Sequence, residues 1–141
     1  MSEPNSWGFL LKQINDEVSR RANNAMRSYD MTVVQMNALN ILMKSLEKKL
    51  SLKELEHSLH VAQSTAAGIV VRLEQKGFVE SFGDPNDKRI KLVSITQAGE
   101  DCWLAAEAER KREEELMVSE LTDAERDILL LLLQKVWDAL K

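Results

Sequence analysis

Residues 51–96 read SLKELEHSLHVAQSTAAGIVVRLEQKGFVESFGDPNDKRIKLVSIT. Ser51 and Glu54 have the S-x-x-E spacing of a capping box, in which the serine hydroxyl satisfies an early helical N–H and the glutamate reaches back to the serine N–H. A helix therefore starts at Leu52. Leu52, Leu55 and Leu59 recur at i, i+3 and i+7, so it buries one stripe and turns Lys53, Glu54 and His57 to water. The break falls at His60-Val61-Ala62, and a second helix opens with Gln63-Ser64-Thr65. Gly77 ends that helix, as a glycine in the left-handed region does. Two short β-type runs follow, Phe78–Phe82 and Ile90–Ile95, flanking the turn formers Gly83-Asp84-Pro85-Asn86-Asp87-Lys88-Arg89. Two helices and a two-stranded hairpin in this order make a winged helix-turn-helix.

The second helix has two unlike faces. At about 100° per residue, Ala66, Ile69, Val70 and Leu73 share one side, while Ser64, Ala67, Gly68, Val71, Arg72 and Gln75 lie on or near the other. The outward side is small and mildly polar, with no large side chain before Arg72, where a solvated face would carry Lys and Glu. Low bulk, hydroxyl and amide groups, and methyls suit a helix that lies deep in a major groove. Gly68 costs about 1 kcal/mol of helix propensity relative to alanine, which fits a close approach to the backbone. The competing interpretation is a helix packed on both faces within a larger core. At the hairpin tip Asp87 is close enough to hold the guanidinium of Arg89 by charge-assisted hydrogen bonds. An arginine held there, beside Lys88, suits a narrow minor groove; the pair could equally serve to stiffen the loop. The expected DNA-binding set is Gln63, Ser64, Thr65, Ala67, Gly68, Val71, Arg72, Gln75, Lys88 and Arg89, with Asp87 as the wing support.

Residues 32–100 resemble the MarR family of transcription regulators. Asp84-Pro85-Asn86-Asp87-Lys88-Arg89, followed by Leu92-Val93-Ser94-Ile95-Thr96 and Gly99, is similar to that family's wing signature, D-x-R followed by L-x-x-[LI]-T-x-x-G. Val61–Val79 is similar to its recognition helix and exit. Ala62 stands where the family often has a capping serine or threonine, which leaves the cap to Ser64 or Thr65. Gly68 stands where many members carry a larger polar or basic group. The resemblance implies a homodimer, a repressor role, and release from DNA by a small, often aromatic ligand bound between the dimerisation helices and the winged region.

Composition bounds the rest. The 141 residues are 44% hydrophobic and 30% charged, which indicates a soluble globular chain of one domain. No N-terminal targeting pattern and no apolar run of 18 residues is present, so the expectation is a cytoplasmic protein with no membrane association. The net charge of −4 is unevenly placed: residues 44–91 hold nine Lys or Arg against seven Asp or Glu, and the acidic excess lies elsewhere. Basic charge is thus local to the reading segment, and phosphate binding there should be salt-sensitive.

Residues 7–27 carry a stripe of period 3.6 that includes Trp7, Leu10, Leu11 and Ile14. Thr32 and Gln35 repeat the capping box, opening a helix with Met36, Leu39, Met43 and Leu46 along one face. Methionines both fill irregular gaps and line adaptable pockets, so Met36 and Met43 are the ligand-pocket candidates. A long helix runs from Gln97 toward residue 117, with Cys102, Trp103, Ala106 and Leu116 among dense charge. Thr122 and Glu125 form a third capping box before Ile128–Leu133, six apolar residues in a row that cover every side of a helix, so one face requires a second protein surface. The expected dimer contacts are Trp7, Leu10, Leu11, Ile14, Leu129, Leu132, Leu133, Val136 and Trp137.

The expected architecture is mainly α with a small β-hairpin wing. It is a single MarR-like domain over 1–141, with 1–30 and 97–141 as dimerisation helices and 32–96 as the DNA-binding region. Its expected partner is duplex DNA with a pseudo-palindromic operator. No cofactor and no metal is expected: His57 and His60 form an H-x-x-H without neighbouring ligands, and the long helix has no histidine of the kind zinc-sensing relatives use. No nucleophile-base or phosphate-loop arrangement is present, so the chain is not expected to be an enzyme. Two alternatives stand beside the regulator: a winged-helix adaptor that holds protein instead of DNA, and a redox-responsive regulator acting through Cys102. The acidic residues Glu100 and Asp101 beside that cysteine would raise its thiol pKa.

Overall fold

The computed structural model describes residues 4–141. They form α1 (Trp7–Ser28), α2 (Val33–Met43), β1 (Lys49–Ser51), α3 (Leu52–Leu59), α4 (Gln63–Gln75), β2 (Val79–Asp84), β3 (Asp87–Ile95), α5 (Gln97–Met117) and α6 (Asp123–Leu140). The chain divides into two compact units, Met1–Ala106 and Glu107–Lys141, with the boundary inside α5. Among the described residues no helix is long and apolar enough to cross a membrane.

Helix starts follow the side chains that can satisfy free N–H groups. All three capping boxes form: Gln35 N–H donates to Thr32 Oγ1 at 3.1 Å, Glu54 N–H to Ser51 Oγ at 3.0 Å and Glu125 N–H to Thr122 Oγ1 at 3.2 Å, each with the reciprocal bond. Ser6 caps α1 by accepting from Phe9 N–H. Helix α3 stops because His60 takes the left-handed conformation, φ 56°. That conformation is uncommon for a residue with a Cβ, and it turns the chain toward α4.

The core of the first unit is built from the inward faces of α2, α3, α4 and the sheet: Leu39, Leu42, Leu55, Val70, Leu73 and Val93 are fully buried. On α2 the buried face is Gln35, Ala38, Leu39 and Leu42, with Met36 and Met43 only half-buried. This corrects the expected Met36–Leu46 stripe. Leu46 lies beyond the end of α2, in a short 3₁₀ turn where Glu47 and Lys48 have positive φ, and it is exposed.

The wing also differs from a two-stranded hairpin. The sheet has three antiparallel strands in the order β1-β3-β2, with Leu50 opposite Val93 on one side of β3 and Ser81 opposite Val93 on the other. β1 is three residues long, too short for an alternating pattern to mark it, and its last residue is also the cap of α3. The turn is shorter than the seven turn-forming residues suggest. Asp84 accepts from Asn86 N–H at 2.8 Å, so Pro85 and Asn86 alone join the strands, with a register shift at Gly83/Asp84. Lys88 and Arg89 are therefore on β3, just past the turn, and not in a loop.

The second unit comprises the end of α5 and all of α6. Arg126 holds its turn, donating from Nε to Val118 O and from Nη1 to Glu115 Oε2, both at 3.1 Å. No α6 residue is buried: Leu130 and Trp137 are 73% and 59% exposed. The apolar stripe of α1 is likewise uncovered, with Trp7 87% exposed and no buried residue on the helix.

Candidate nucleic-acid interface

Helix α4 buries Ala66, Ile69, Val70 and Leu73, the four residues its periodicity assigns inward. Gln63, Ser64, Thr65, Gly68, Val71, Arg72 and Gln75 are exposed and Ala67 is half-buried, so the outward set is brought together on one surface. Nothing lies within 4 Å of a Cβ built on Gly68. The glycine is therefore not required by packing within the chain.

The helix begins at Gln63 with Ala62 at the cap position, and no side chain caps it. The cap expected of Ser64 or Thr65 does not form. Both already lie in the first turn, where the helical backbone carries their hydroxyls away from the free N–H groups that a cap must reach. The C-terminus is closed in the Schellman manner. Gly77, at φ 77°, donates to Glu74 O at 2.9 Å and Phe78 N–H donates to Leu73 O at 3.0 Å.

Three side-chain contacts fix α4 against its neighbours. Ser81 Oγ on β2 donates to Glu74 Oε1. Lys76 Nζ donates to the carbonyl of Asp30 and, at 3.3 Å, to Gln35 Oε1. Thr96 Oγ1 donates to Gly77 O at 2.6 Å and accepts from Gly99 N–H at 3.1 Å. Sequence reasoning missed the role of Lys76. Its only local signal is a cation just past a helix end, where it favours the negative pole, and its partners are 41 to 46 residues away.

On the wing, Arg89 Nε and Nη2 donate to the two carboxylate oxygens of Asp87 at 3.0 and 3.1 Å, and Arg89 N–H donates to Oδ1 at 3.1 Å. The Arg89 side chain is 91% exposed. Its fork is thus aimed by a neighbour yet open to an external acceptor. The hydrogen bond from the guanidinium, and after it the one from the backbone N–H, holds the Asp87 carboxyl below the usual carboxylate range. Lys88 is exposed beside it.

Other singled-out residues lie elsewhere. Met36 packs against the core; neither it nor Met43 lines the cavity at the end of α4 or the one between β1 and α3. Cys102 is half-buried against the core, and burial pushes its thiol up while the nearby charge of Lys76 partly opposes this. The direction agrees with the sequence reading, but the cause is burial and not the adjacent acids. The rings of His57 and His60 are 6.3 Å apart.

The MarR family model matches residues 31–91. The chain is 35% identical over 112 residues to the uncharacterized HTH-type transcriptional regulator YdcH of Bacillus subtilis, an alignment covering 74% of each protein. It is 34% identical over 86 residues to the HTH-type transcriptional repressor NicR of Pseudomonas putida, covering 61% of this chain and 54% of NicR. Its fold matches that in the crystal structure of the S. aureus MepR–DNA complex, with a TM-score of 0.83 at 22% identity over 96% of this chain and all of that one. With its helix-turn-helix and paired wing arginine in place, this chain belongs to the MarR family of DNA-binding transcriptional regulators.

Proposed function

We propose that two copies of this chain bind a pseudo-palindromic DNA duplex as a repressor. In each copy α4 enters the major groove and Arg89 the adjacent minor groove. The observation that carries this is the outward face of α4, open to solvent and free of bulk from Gln63 to Gly68, flanked by a guanidinium that Asp87 aims. In this reading Gln63, Ser64, Thr65 and Gln75 offer hydrogen bonds to base edges, and Ala67 and Val71 offer methyls. Gly68 allows close approach, and Arg72, Lys88 and Arg89 meet phosphates or the minor groove. Residues 32–96 are the reading region of a single MarR-like domain.

One reading helix contacts few base pairs, so specificity requires a second copy with half-sites about one helical turn, ~34 Å, apart. The uncovered apolar stripes of α1 and α6 support that pairing, through Trp7, Leu10, Leu11, Ile14, Leu129, Leu132, Leu133, Val136 and Trp137. The repressor role is supported by similarity to NicR, and DNA as the partner by the likeness to MepR, which was crystallised on DNA. A small effector, aromatic by family resemblance, would lower affinity only so far as it favours the conformation that does not fit DNA. Met36 and Met43 are its candidate contacts. The protein would act in the cytoplasm.

Footprinting on the chromosome of the source organism tests the reading. Protected sites should be imperfect inverted repeats whose transcription rises when the gene is deleted. A protein that protects no duplex at any salt concentration would sink it.

A further inference from the structure

Between the end of α1, the start of α2 and the last turns of α4 lies a cavity of about 430 Å³, walled by Arg27, Asp30, Thr32, Gln35, Arg72 and Lys76 among others. Three of these side chains are cations and one is a carboxylate, so the cavity is net positive in a chain whose total is −4. Most arginines elsewhere are paired, Arg20 with Glu17, Arg89 with Asp87, Arg110 with Glu107 and Arg126 with Glu115; Arg112, exposed on α5, has no partner among the described residues. Arg27 and Arg72 are exposed, and neither guanidinium has a hydrogen-bonded or ion-paired partner among the described residues. Acidic side chains outnumber basic ones in this protein, so two free guanidiniums on one cavity do not reflect a shortage of carboxylates. The Lys76 ammonium is tied to the Asp30 carbonyl and Gln35, and contributes its charge from a fixed position.

We propose that this cavity receives a phosphodiester group of the duplex backbone, gripped between the guanidiniums of Arg27 and Arg72. Arg27 thereby makes the end of α1 part of the DNA-binding surface. The guanidinium fork matches phosphate oxygens, and two forks on one concavity hold an oxyanion from both sides. Free phosphate offers the same chemistry. The duplex is favoured because Arg72 and Gln75 belong both to the cavity wall and to the outward face of α4, so a backbone flanking that helix runs past the cavity mouth. The assignment rests on the DNA-binding mode proposed above.

The test uses the full-length protein and a duplex recovered by the wild type from a randomised library, with affinity measured against NaCl concentration. Arg27→Ala should weaken binding about tenfold near 0.1 M salt and flatten the slope of log K against log[salt] by ~0.9 for each phosphate it no longer neutralises. Arg27→Lys should keep most of the slope, and Arg20→Ala, on the same helix, should leave both unchanged. Unaltered melting temperatures, expected for so exposed a position, exclude unfolding; Arg27→Gln serves if the alanine variant is unstable. Wild-type slope and affinity in Arg27→Ala, while Arg89→Ala still weakens binding, would overturn the cavity assignment alone. A wild-type protein that recovers no duplex would overturn both readings. Calorimetric binding of inorganic phosphate that Arg27→Ala abolishes, with the DNA slope unmoved, would overturn the duplex as the source of the oxyanion.

Discussion

Gly99 sits directly against Phe78: a Cβ on Gly99 would overlap the Phe78 carbonyl oxygen and come within 2.7 Å of Ile95 Cγ1. That carbonyl also accepts from Thr96 N–H at 3.0 Å, so it cannot withdraw without breaking the junction between the wing and α5. Gly99→Ala should therefore destabilise the protein by about 1–3 kcal/mol through overpacking, read as a lower denaturant midpoint. Unchanged stability would mean that α5 can slide away from the wing at no cost.

Gly68 makes the opposite prediction, because open space surrounds the position a Cβ would occupy. Gly68→Ala should stabilise the free protein by up to about 1 kcal/mol through helix propensity alone. The same variant should bind duplex DNA more weakly, since the added methyl fills the space kept for close approach. Gains in both stability and affinity would show that nothing comes near the backbone there.

Arg89→Ala should weaken duplex binding about tenfold or more while leaving the melting temperature nearly unchanged, because the side chain is an exposed ion pair. Asp87→Asn should weaken it less, since the guanidinium remains but is aimed less firmly. If Asp87→Asn were the more damaging substitution, the pair would act by shaping the turn.

The sign of the Asp87 shift sets the pH range of the wing tip. Its carboxyl titrates below the ordinary value in the folded protein, so the hold on Arg89 is fully present above the unfolded value and is lost as pH falls through the folded one. Carboxyl chemical shifts should show Asp87 ionised from neutrality down past the ordinary carboxylate range, and Arg89→Ala should move its midpoint upward. A midpoint that does not respond would show that the backbone N–H alone holds the carboxylate.

If two copies pair through α6 as proposed, Trp137→Glu should place a charge in their interface, yielding a monomer in light scattering and a steep loss of duplex affinity. Its own helix should persist, because Trp137 is already exposed within the single chain. A wild-type protein that scatters as a monomer at every concentration would remove the basis for symmetric binding.

Elements whose cause is local were legible from the residues. The three capping boxes each need two side chains three residues apart, and the inward face of α4 follows from helical period alone. The Asp87–Arg89 pair is two residues apart on one strand. What escaped depends on distant partners. β1 exists because Leu50 finds Val93, and Lys76 matters because the chain brings Asp30 and Gln35 to it. Gly99 was readable as a letter in a signature, while its reason, the Phe78 carbonyl, became visible only in three dimensions. In the sequence Arg27 is one more charge on an amphipathic helix; that it shares a cavity wall with Arg72 depends on the fold.

The middle strand of the sheet is gripped on both edges only as far as the pairing of Ser51 with Leu92; beyond it the hairpin continues with a single neighbour. Mechanically that is a cantilever, stiff at its root and compliant at its end. The root shares Ser51 with the first turn of α3, so pushing the root sideways must drag the helix pair with it. The root of the wing is thus tied to the helix pair, while Arg89 rides on the compliant end. In the paired binding proposed above, that compliance would let each wing tip follow the groove it meets.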